Sequence, residues 1–181
     1  MTGGVDAGRL HVRRATPADA PALSASASLW FEETFGAQND PEDMRLYLEK
    51  AFSPAQQSAE LSDPRRVTLL AEEGGELAGY VYLHRTPSGG AHHGVPAGEA
   101  VEIQRFYVSS RHHGHGVARK LMEAAMETAR EMGGELLWLG VWEHNTRAIR
   151  FYQKHGFADV GEQDFVLGTD LQHDRVMTRP L

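Results

Sequence analysis

Hydrophobic and polar residues follow different periods along the chain, and each change of period predicts a new structural element. Apolar residues at every second position, as in 10–16, are typical of a strand, and a spacing of three to four, as in 117–132, is typical of a helix. The predicted order is a strand at 10–16, helices at 17–36 and 40–52, a hairpin of two strands within 66–85, a strand at 100–110, a helix at 117–132, a strand at 135–142, a helix at 145–156, and strands near 160–168 and 173–179. This order predicts a mixed α/β domain built on one sheet.

The chain reads as a single domain over residues 9–181, because neither a linker nor an internal repeat divides it. Residues 1–8, MTGGVDAG, are expected to be disordered, since nothing in them could pack. The segment TPSGGAHHGVPAG at 86–98 is rich in Gly, Pro and His and is expected to form a mobile loop.

Composition and charge exclude several classes of protein. The net charge of −7 argues against a nucleic-acid partner, and the absence of cysteine excludes disulfides, thiolate nucleophiles and Cys-based zinc sites. No apolar run approaches the length of a membrane span, and the N-terminus carries no apolar signal region. We therefore expect a cytoplasmic protein without a membrane partner; whether it forms a homodimer is left open.

The stretch RHHGHGVARK at 111–120 places two glycines, Gly114 and Gly116, where a strand passes into a helix. The first N–H groups of a helix lack intrahelical partners, and glycine lets a phosphate approach the backbone, so this turn predicts an anion site. A simple tight turn is the alternative. The three histidines within four residues of the turn, His112, His113 and His115, would point in different directions, so we predict no metal site.

The pattern Arg111-x-x-Gly114-x-Gly116 resembles the Arg/Gln-x-x-Gly-x-Gly/Ala signature of the GCN5-related N-acetyltransferases (GNAT), in which this loop binds the pyrophosphate of acetyl-CoA. The stretch at 137–157 is similar to the family's later motif, Asn-x-x-Ala-x-x-Phe-Tyr-x-x-x-Gly-Phe. The stretches at 30–52 and 165–177 are similar to PaiA-type polyamine acetyltransferases. The resemblance implies the GNAT fold, a mixed central sheet of six to seven strands with about four helices, and acetyl-CoA as co-substrate.

Glu102 and Tyr152 are the candidate catalytic residues. By resemblance, Glu102 is the general base, acting directly or through water, and Tyr152 protonates the departing thiolate. Alternation predicts that Glu102 shares one strand face with Gln104, Phe106 and Val108, which suits a cleft but also a solvated surface. The alternative is that Tyr152 is a core aromatic, although its hydroxyl must then find a polar partner. Where PaiA-type enzymes tend to carry a second glutamate, this chain has Gln104.

The resemblance also assigns residues to acetyl-CoA binding. The backbone of the strand before the glycine turn would pair with the pantetheine arm, and the Val108 amide could polarise the thioester carbonyl. Asn145 would cap the following helix and contact the pantetheine. The assigned cofactor-binding residues are Phe106, Tyr107, Val108, Arg111, His113, Gly114, His115, Gly116, Val117, Ala118, Arg119, Asn145, Ala148 and Tyr152.

The acceptor is expected to be a primary amine, attacked directly through a tetrahedral intermediate. Acidic residues at Glu32, Glu33, Asp40, Glu42 and Asp43 would attract a polyamine such as spermidine or spermine, although a solvated helix face would look the same. We name Glu32, Glu33 and Gln104 as candidate substrate contacts. The alternatives are a protein N-terminus or lysine, another small amine, and a non-catalytic acyl-CoA sensor.

Overall fold

The computed structural model describes residues 8–86 and 94–181, which form a mixed sheet with helices on both faces. The helices are α1 (Ala20–Phe35), α2 (Pro41–Phe52), α3 (Pro54–Ser62), α4 (Val117–Glu131) and α5 (Thr146–Lys154). The strands are β1 (His11–Arg14), β2 (Arg66–Glu73), β3 (Glu76–Thr86), β4 (Ala100–Val108), β5 (Leu136–Trp142), β6 (Ala158–Leu167) and β7 (Asp170–Pro180). The predicted mixed α/β class with a six- to seven-stranded sheet is confirmed.

The strands lie in the order β1-β2-β3-β4-β5-β7-β6. Every neighbouring pair is antiparallel except β4 and β5, which run parallel and pair only from Ala100–Leu136 to Glu102–Trp138. Beyond Glu102, β4 keeps β3 as its neighbour and β5 keeps β7. The sheet therefore opens between β4 and β5 along the second half of both strands.

Two hydrophobic cores cover the two faces of the sheet. On one face, α4 buries Val117, Leu121, Met122, Ala125 and Ala129 against alternate residues of β2 to β5, because these five positions recur at helical spacing. On the other face, α1 and α2 pack over residues of β2 and β3. Since side chains alternate along a strand, β2, β3 and β4 each contribute to both cores. Strand β5 has little exposed surface.

Helix α3 was not predicted, although its start carries ordinary signals. Ser53 caps the helix by accepting from the Gln56 N–H at 3.2 Å, and Pro54 occupies the first turn. The buried face of α3 is polar, because it consists of Gln57 and Glu60. An apolar repeat could not appear there, and the helix is held by hydrogen bonds instead.

A bulge in β4 overturns the predicted strand face. Tyr82 pairs with Arg105 and Leu83 pairs with Ile103, so Gln104 has no partner in β3 and shifts the alternation by one residue. Phe106 and Val108 consequently pack into the core beneath α4, whereas Glu102 lies on the opposite face, in register with His84. The prediction that Glu102 shares one face with Phe106 and Val108 is wrong for this reason.

Two sequence expectations fall largely on residues that the structure does not describe. Of the segment 1–8 that is expected to be disordered, residues 1–7 lie outside the described ranges. Of the expected mobile loop at 86–98, residues 87–93 lie outside them. In the described part of that loop, Val95 is buried against Trp138 and Val176. This part therefore belongs to the packed structure.

Candidate active site

A cavity of about 710 Å³ occupies the opening between β4 and β5. At one end it is lined by Gly114, Gly116 and the first residues of α4; we call this the glycine-turn end. At the other end, which we call the aromatic end, the lining consists mainly of rings: Phe31, Phe35, Tyr47, Trp142 and Phe165. A single cavity therefore has an anion-binding end and an apolar end, which suits a ligand with a charged part and an uncharged part.

The glycine turn has the geometry of an anion site. Gly114 and Gly116 have φ of +85° and +80°, the left-handed region that favours glycine. A Cβ at either position would meet nothing within 4 Å among the described atoms, so the space above both residues is open. Gly116 is the N-cap of α4 and no side chain of the described residues caps that helix, which leaves its first N–H groups free for a ligand.

Cationic side chains contribute to the cavity wall. Arg119 in the first turn of α4 lies beside the glycine turn, and Arg147 and Lys154 of α5 also line the cavity. His113 also lines it, with its Nε2 3.1 Å from the carbonyl oxygen of Val108. The predicted residues Gly114, Gly116, Val117, Ala118 and Arg119 thus come together here, in a setting that suits a pyrophosphate.

The open edge of β4 presents to the cavity backbone groups that have no partner strand in the described residues. The Ser109 N–H donates to the Ala78 carbonyl of β3 at 2.9 Å, which fixes the alternation at this end of the strand. In an antiparallel pair the bonded residues alternate, so the backbone groups of Tyr107 face β3, whereas those of Phe106 and Val108 face the opening. A ligand lying between the strands could therefore bond to Phe106 and Val108 as an added strand would.

Glu102 lies where the two strands part, and its side chain is 16% exposed. Burial raises the pKa of this carboxyl to about 7, although the nearby guanidinium groups of Arg66 and Arg105 lower it. The nearest imidazole, His84 Nδ1, is 3.9 Å from Glu102 Oε2, too far for a direct hydrogen bond. A carboxyl of this kind can both take up and release a proton near neutral pH.

Two arginines frame Glu102 and are themselves held by other groups. Arg105 donates to both carboxylate oxygens of Glu60 at 2.7 and 3.1 Å and stacks over Phe52 at 4.7 Å. Arg66 donates to the Tyr82 hydroxyl and, at 3.3 Å, to Gln104 Oε1. Glu60 offsets part of the positive charge of Arg105 and occupies two of its guanidinium donors where Arg105 borders the cavity.

Tyr152 lines the cavity from α5 and is 8% exposed. Its ring contacts Phe106, Phe151 and Phe157, and this burial raises its pKa well above the ordinary value. The hydroxyl therefore keeps its proton at neutral pH and can donate it. Asn145 caps α5 by accepting from the Ala148 N–H at 3.2 Å, as predicted, and also lines the cavity.

Asp174 of β7 is a cavity carboxyl that no sequence pattern singles out. The residue is 8% exposed and lines the cavity near Gln163. Burial raises the pKa of Asp174 to about 6, and a hydrogen bond from Gln163 opposes this shift. Arg66 and Arg105 were also missed; a strand arginine carries no signal that separates a buried position from a solvated one.

Some predicted site residues lie away from the cavity. Arg111 and His115 are exposed and are absent from its lining, as are Glu32 and Glu33 on the outer face of α1. The other acidic residues named for the acceptor have structural contacts. Asp40 caps α2, Glu42 pairs with Arg45 at 2.6 Å, and Asp43 accepts from the Thr169 N–H at 2.6 Å. Gln104, in contrast, borders the cavity.

The described histidines do not assemble with carboxylates into a metal cluster. His112 Nε2 and His115 Nδ1 each lie 3.6 Å from the same oxygen of Glu73. Within residues 8–86 and 94–181, no group of three or more His, Asp or Glu side chains could hold a metal ion.

A sheet that opens at one strand pair, beside an uncapped helix with a glycine turn, suits a transferase that takes its acyl group from an acyl-CoA thioester. Residues 25–157 match the family described as "Acetyltransferase (GNAT) family", and the chain belongs to this family. It is an acyltransferase whose co-substrate is acetyl-CoA. In the described part of the chain, no helix has the length and apolar character of a membrane span.

Curated relatives and solved structures agree with this family. An uncharacterised N-acetyltransferase in the pepI 3′ region of Lactobacillus delbrueckii subsp. lactis is 35% identical over 90% of this chain and 92% of its own. A streptothricin acetyltransferase of Streptomyces lavendulae is 29% identical over 82% of each chain. A spermine/spermidine N(1)-acetyltransferase of Bacillus subtilis (strain 168) is 35% identical over 36% of this chain and 43% of its own.

Among solved structures, a PaiA N-acetyltransferase from Thermoplasma acidophilum in complex with coenzyme A has a TM-score of 0.75. It is 18% identical to this chain and covers 96% of it, with 99% of its own chain matched. At this identity the likeness concerns the fold.

Proposed function

We propose that this acetyltransferase transfers the acetyl group of acetyl-CoA to a primary amine of a polyamine, spermidine or spermine. The observation that carries the proposal is the character of the aromatic end. It combines ring faces with the buried carboxyls Glu102 and Asp174, which suits a ligand made of ammonium groups joined by methylenes. The spermine/spermidine acetyltransferase among the relatives adds support, although it matches only 36% of this chain.

The charge balance at this end favours a cation over an amino acid. An amino-acid acceptor carries a carboxylate, which would need a cationic partner in the cavity. Arg105 borders the cavity, but Glu60 holds its guanidinium through two hydrogen bonds. The other lining guanidinium and ammonium groups belong to Arg119 of α4 and to Arg147 and Lys154 of α5, and the phosphate groups of the co-substrate would use them.

Glu102 would remove a proton from the acceptor ammonium, directly or through one water. An alkyl ammonium has a pKa of about 10, so a neutral amine must be generated before nitrogen can attack. With a pKa of about 7, Glu102 is a stronger base than an ordinary glutamate and is still partly ionised at neutral pH. Its position where β4 and β5 part leaves it facing the cavity.

The Val108 N–H and the Tyr152 hydroxyl would serve the other half of the reaction. Acetyl-CoA supplies the thioester; as the C–N bond forms and the C–S bond breaks, Val108 donates to the carbonyl oxygen. Tyr152 gives its proton to the leaving sulfur, and the second amine proton returns to Tyr152 through solvent. Burial raises the pKa of Tyr152. The same burial raises the pKa of the CoA thiol formed beside it, so the difference between the two pKa values, which sets the direction of proton transfer, changes little.

A cationic antibiotic is the second candidate acceptor. The streptothricin acetyltransferase of Streptomyces lavendulae matches 82% of this chain, more than the polyamine enzyme does. An amine-bearing antibiotic would use the same carboxyls and the same proton path. The two acceptors differ in bulk, and a ligand much wider than a methylene chain would have to displace the rings of the aromatic end.

The test is a CoA-release assay with acetyl-CoA and a panel of amines: spermidine, spermine, streptothricin, single amino acids and a lysine peptide. We expect the highest kcat/KM with the polyamines and little turnover of amino acids. Higher kcat/KM with streptothricin would make the antibiotic the acceptor. Turnover of the peptide alone would refute both proposals. Glu102→Gln should lower kcat with whichever amine is used, and the exposed Glu76→Gln serves as the matched control.

A further inference from the structure

Asp174 faces the same side of the sheet as Glu102. Strand pairing places Glu102 beside Trp138, and Asp174 beside Trp142, four residues further along β5. Trp138 packs with Ala100 and Val176 on the face opposite α4, and alternation puts Trp142 and Asp174 on that face as well. The two carboxyls therefore belong to one side of the cavity, away from the helix that carries the glycine turn.

Gly140 leaves space on the sheet surface between the two carboxyls, because it has no side chain. It lies between Trp138 and Trp142 in β5, pairs with Val176, and lines the cavity. A Cβ at this position would come within 2.4 Å of Gln163 Nε2 and 3.0 Å of Asp174 Oδ2, so a larger residue would push both groups away. Gln163 bonds to Asp174 and holds its carboxylate in place.

The spacing of the carboxyls suits a long diamine. Four residues along a strand cover about 13 Å and two strand spacings about 10 Å, which puts the Cα atoms of Glu102 and Asp174 roughly 16 Å apart. With bonds of about 1.5 Å, an extended chain with eight atoms between its terminal nitrogens, as in spermidine, spans roughly 11 Å. Ammonium-to-carboxylate contacts add about 3 Å at each end.

We infer that Asp174 is a specificity-determining residue that binds the distal ammonium of the acceptor while the reacting amine lies at Glu102. The inference rests on the proposed function, because it assumes an acceptor with at least two ammonium groups. Among the described residues, the buried carboxylate of Asp174 pairs with the amide of Gln163 and with no cation, so its negative charge is unmatched there, and a second ammonium group would neutralise it. Acceptors with that group at a suitable distance would be preferred over those without it.

The test compares two acceptors that differ only in the distal group, 1,8-diaminooctane and n-octylamine, with acetyl-CoA as donor. Asp174→Asn keeps the shape of the side chain and an oxygen for Gln163 but removes the charge. A charged hydrogen bond contributes about 1.5–3 kcal/mol, so the diamine-to-monoamine ratio of kcat/KM should fall roughly tenfold to a hundredfold, mainly through the KM of the diamine. The control is Asp164→Asn on β6, which removes the same charge from an exposed site.

The possible outcomes distinguish a failure of the inference about Asp174 from a failure of the proposed function. A fall in the ratio for Asp174→Asn, with no fall for Asp164→Asn, supports the inference. An unchanged ratio overturns it, including the case in which both amines lose activity equally, because that result indicates a structural role. If the wild-type enzyme acetylates neither these amines nor spermidine, the proposed function fails and the inference fails with it.

Discussion

Replacing Glu102 by glutamine should change how the stability of the protein depends on pH. Burial raises the pKa of this carboxyl from 4.5 to about 7, so the folded state holds the proton more tightly than the unfolded chain does. At a pH between these two pKa values, unfolding therefore releases the proton. The free energy of unfolding contributed by this group therefore falls as pH rises through the interval from 4.5 to 7.

The magnitude follows from the same two pKa values. Each tenfold change in proton affinity corresponds to about 1.4 kcal/mol, so the full difference is worth roughly 3 kcal/mol, of which about 2.5 kcal/mol lies between pH 5 and pH 8. Glutamine has a similar shape, but its side chain does not ionise. Relative to the wild type, Glu102→Gln should thus gain about 2.5 kcal/mol of stability between pH 5 and pH 8 while it loses activity.

Urea denaturation at pH 5 and pH 8 measures this difference for the wild type, Glu102→Gln and the exposed control Glu76→Gln. The control should follow the wild type at both pH values. If the stability difference between Glu102→Gln and the wild type is the same at pH 5 and pH 8, Glu102 is not a buried carboxyl of raised pKa. The argument for it as a base would then lose its physical foundation.

Three further predictions concern the other groups. Tyr152→Phe should lower kcat about a hundredfold or more with little change in the Kd of acetyl-CoA, measured by stopped-flow kinetics and calorimetry; equal losses would argue against an acid. Gly114→Glu should raise the Kd of CoA at least roughly tenfold, because it adds a charge and a Cβ at positive φ, whereas Gly74→Glu in the β2–β3 turn should not. Asp40→Ala should cost about 1 kcal/mol in urea denaturation by removing the cap of α2, and a cost near zero would refute that role.

The parts of the fold that could be predicted from sequence are those whose buried face is apolar. Helix α4 shows its buried residues at helical spacing, and β5 is a nearly continuous apolar run, so both were predicted close to their observed bounds. Helix α3 was missed for the converse reason. Gln57 donates to the Ala51 carbonyl at 2.9 Å and Glu60 binds Arg105, and these contacts join residues that no local pattern connects.

The candidate site divides in the same way. The glycine turn, the cap at Asn145 and the position of Tyr152 depend on neighbouring residues, so a short motif could predict them. The bulge at Gln104 depends on the register of β3 against β4, which the local sequence does not contain. The sequence alone predicts regular alternation, which places Phe106 and Val108 on the face of Glu102, whereas the structure has them on the opposite face.

Asp174, which we infer to bind the acceptor, shows why such a residue is harder to predict than a residue of the glycine turn. In the sequence it stands among polar residues, in QHDRVM, and reads as a solvated strand position. Its burial results from β7 lying between β5 and β6, because Trp142 is its partner on one side and Gln163 on the other. The surroundings of Asp174 are made by strands that are distant in sequence. If Asp174 binds the acceptor as inferred, single substitutions in β6 and β7 would change acceptor preference while the glycine turn and the opening between β4 and β5 stay as they are.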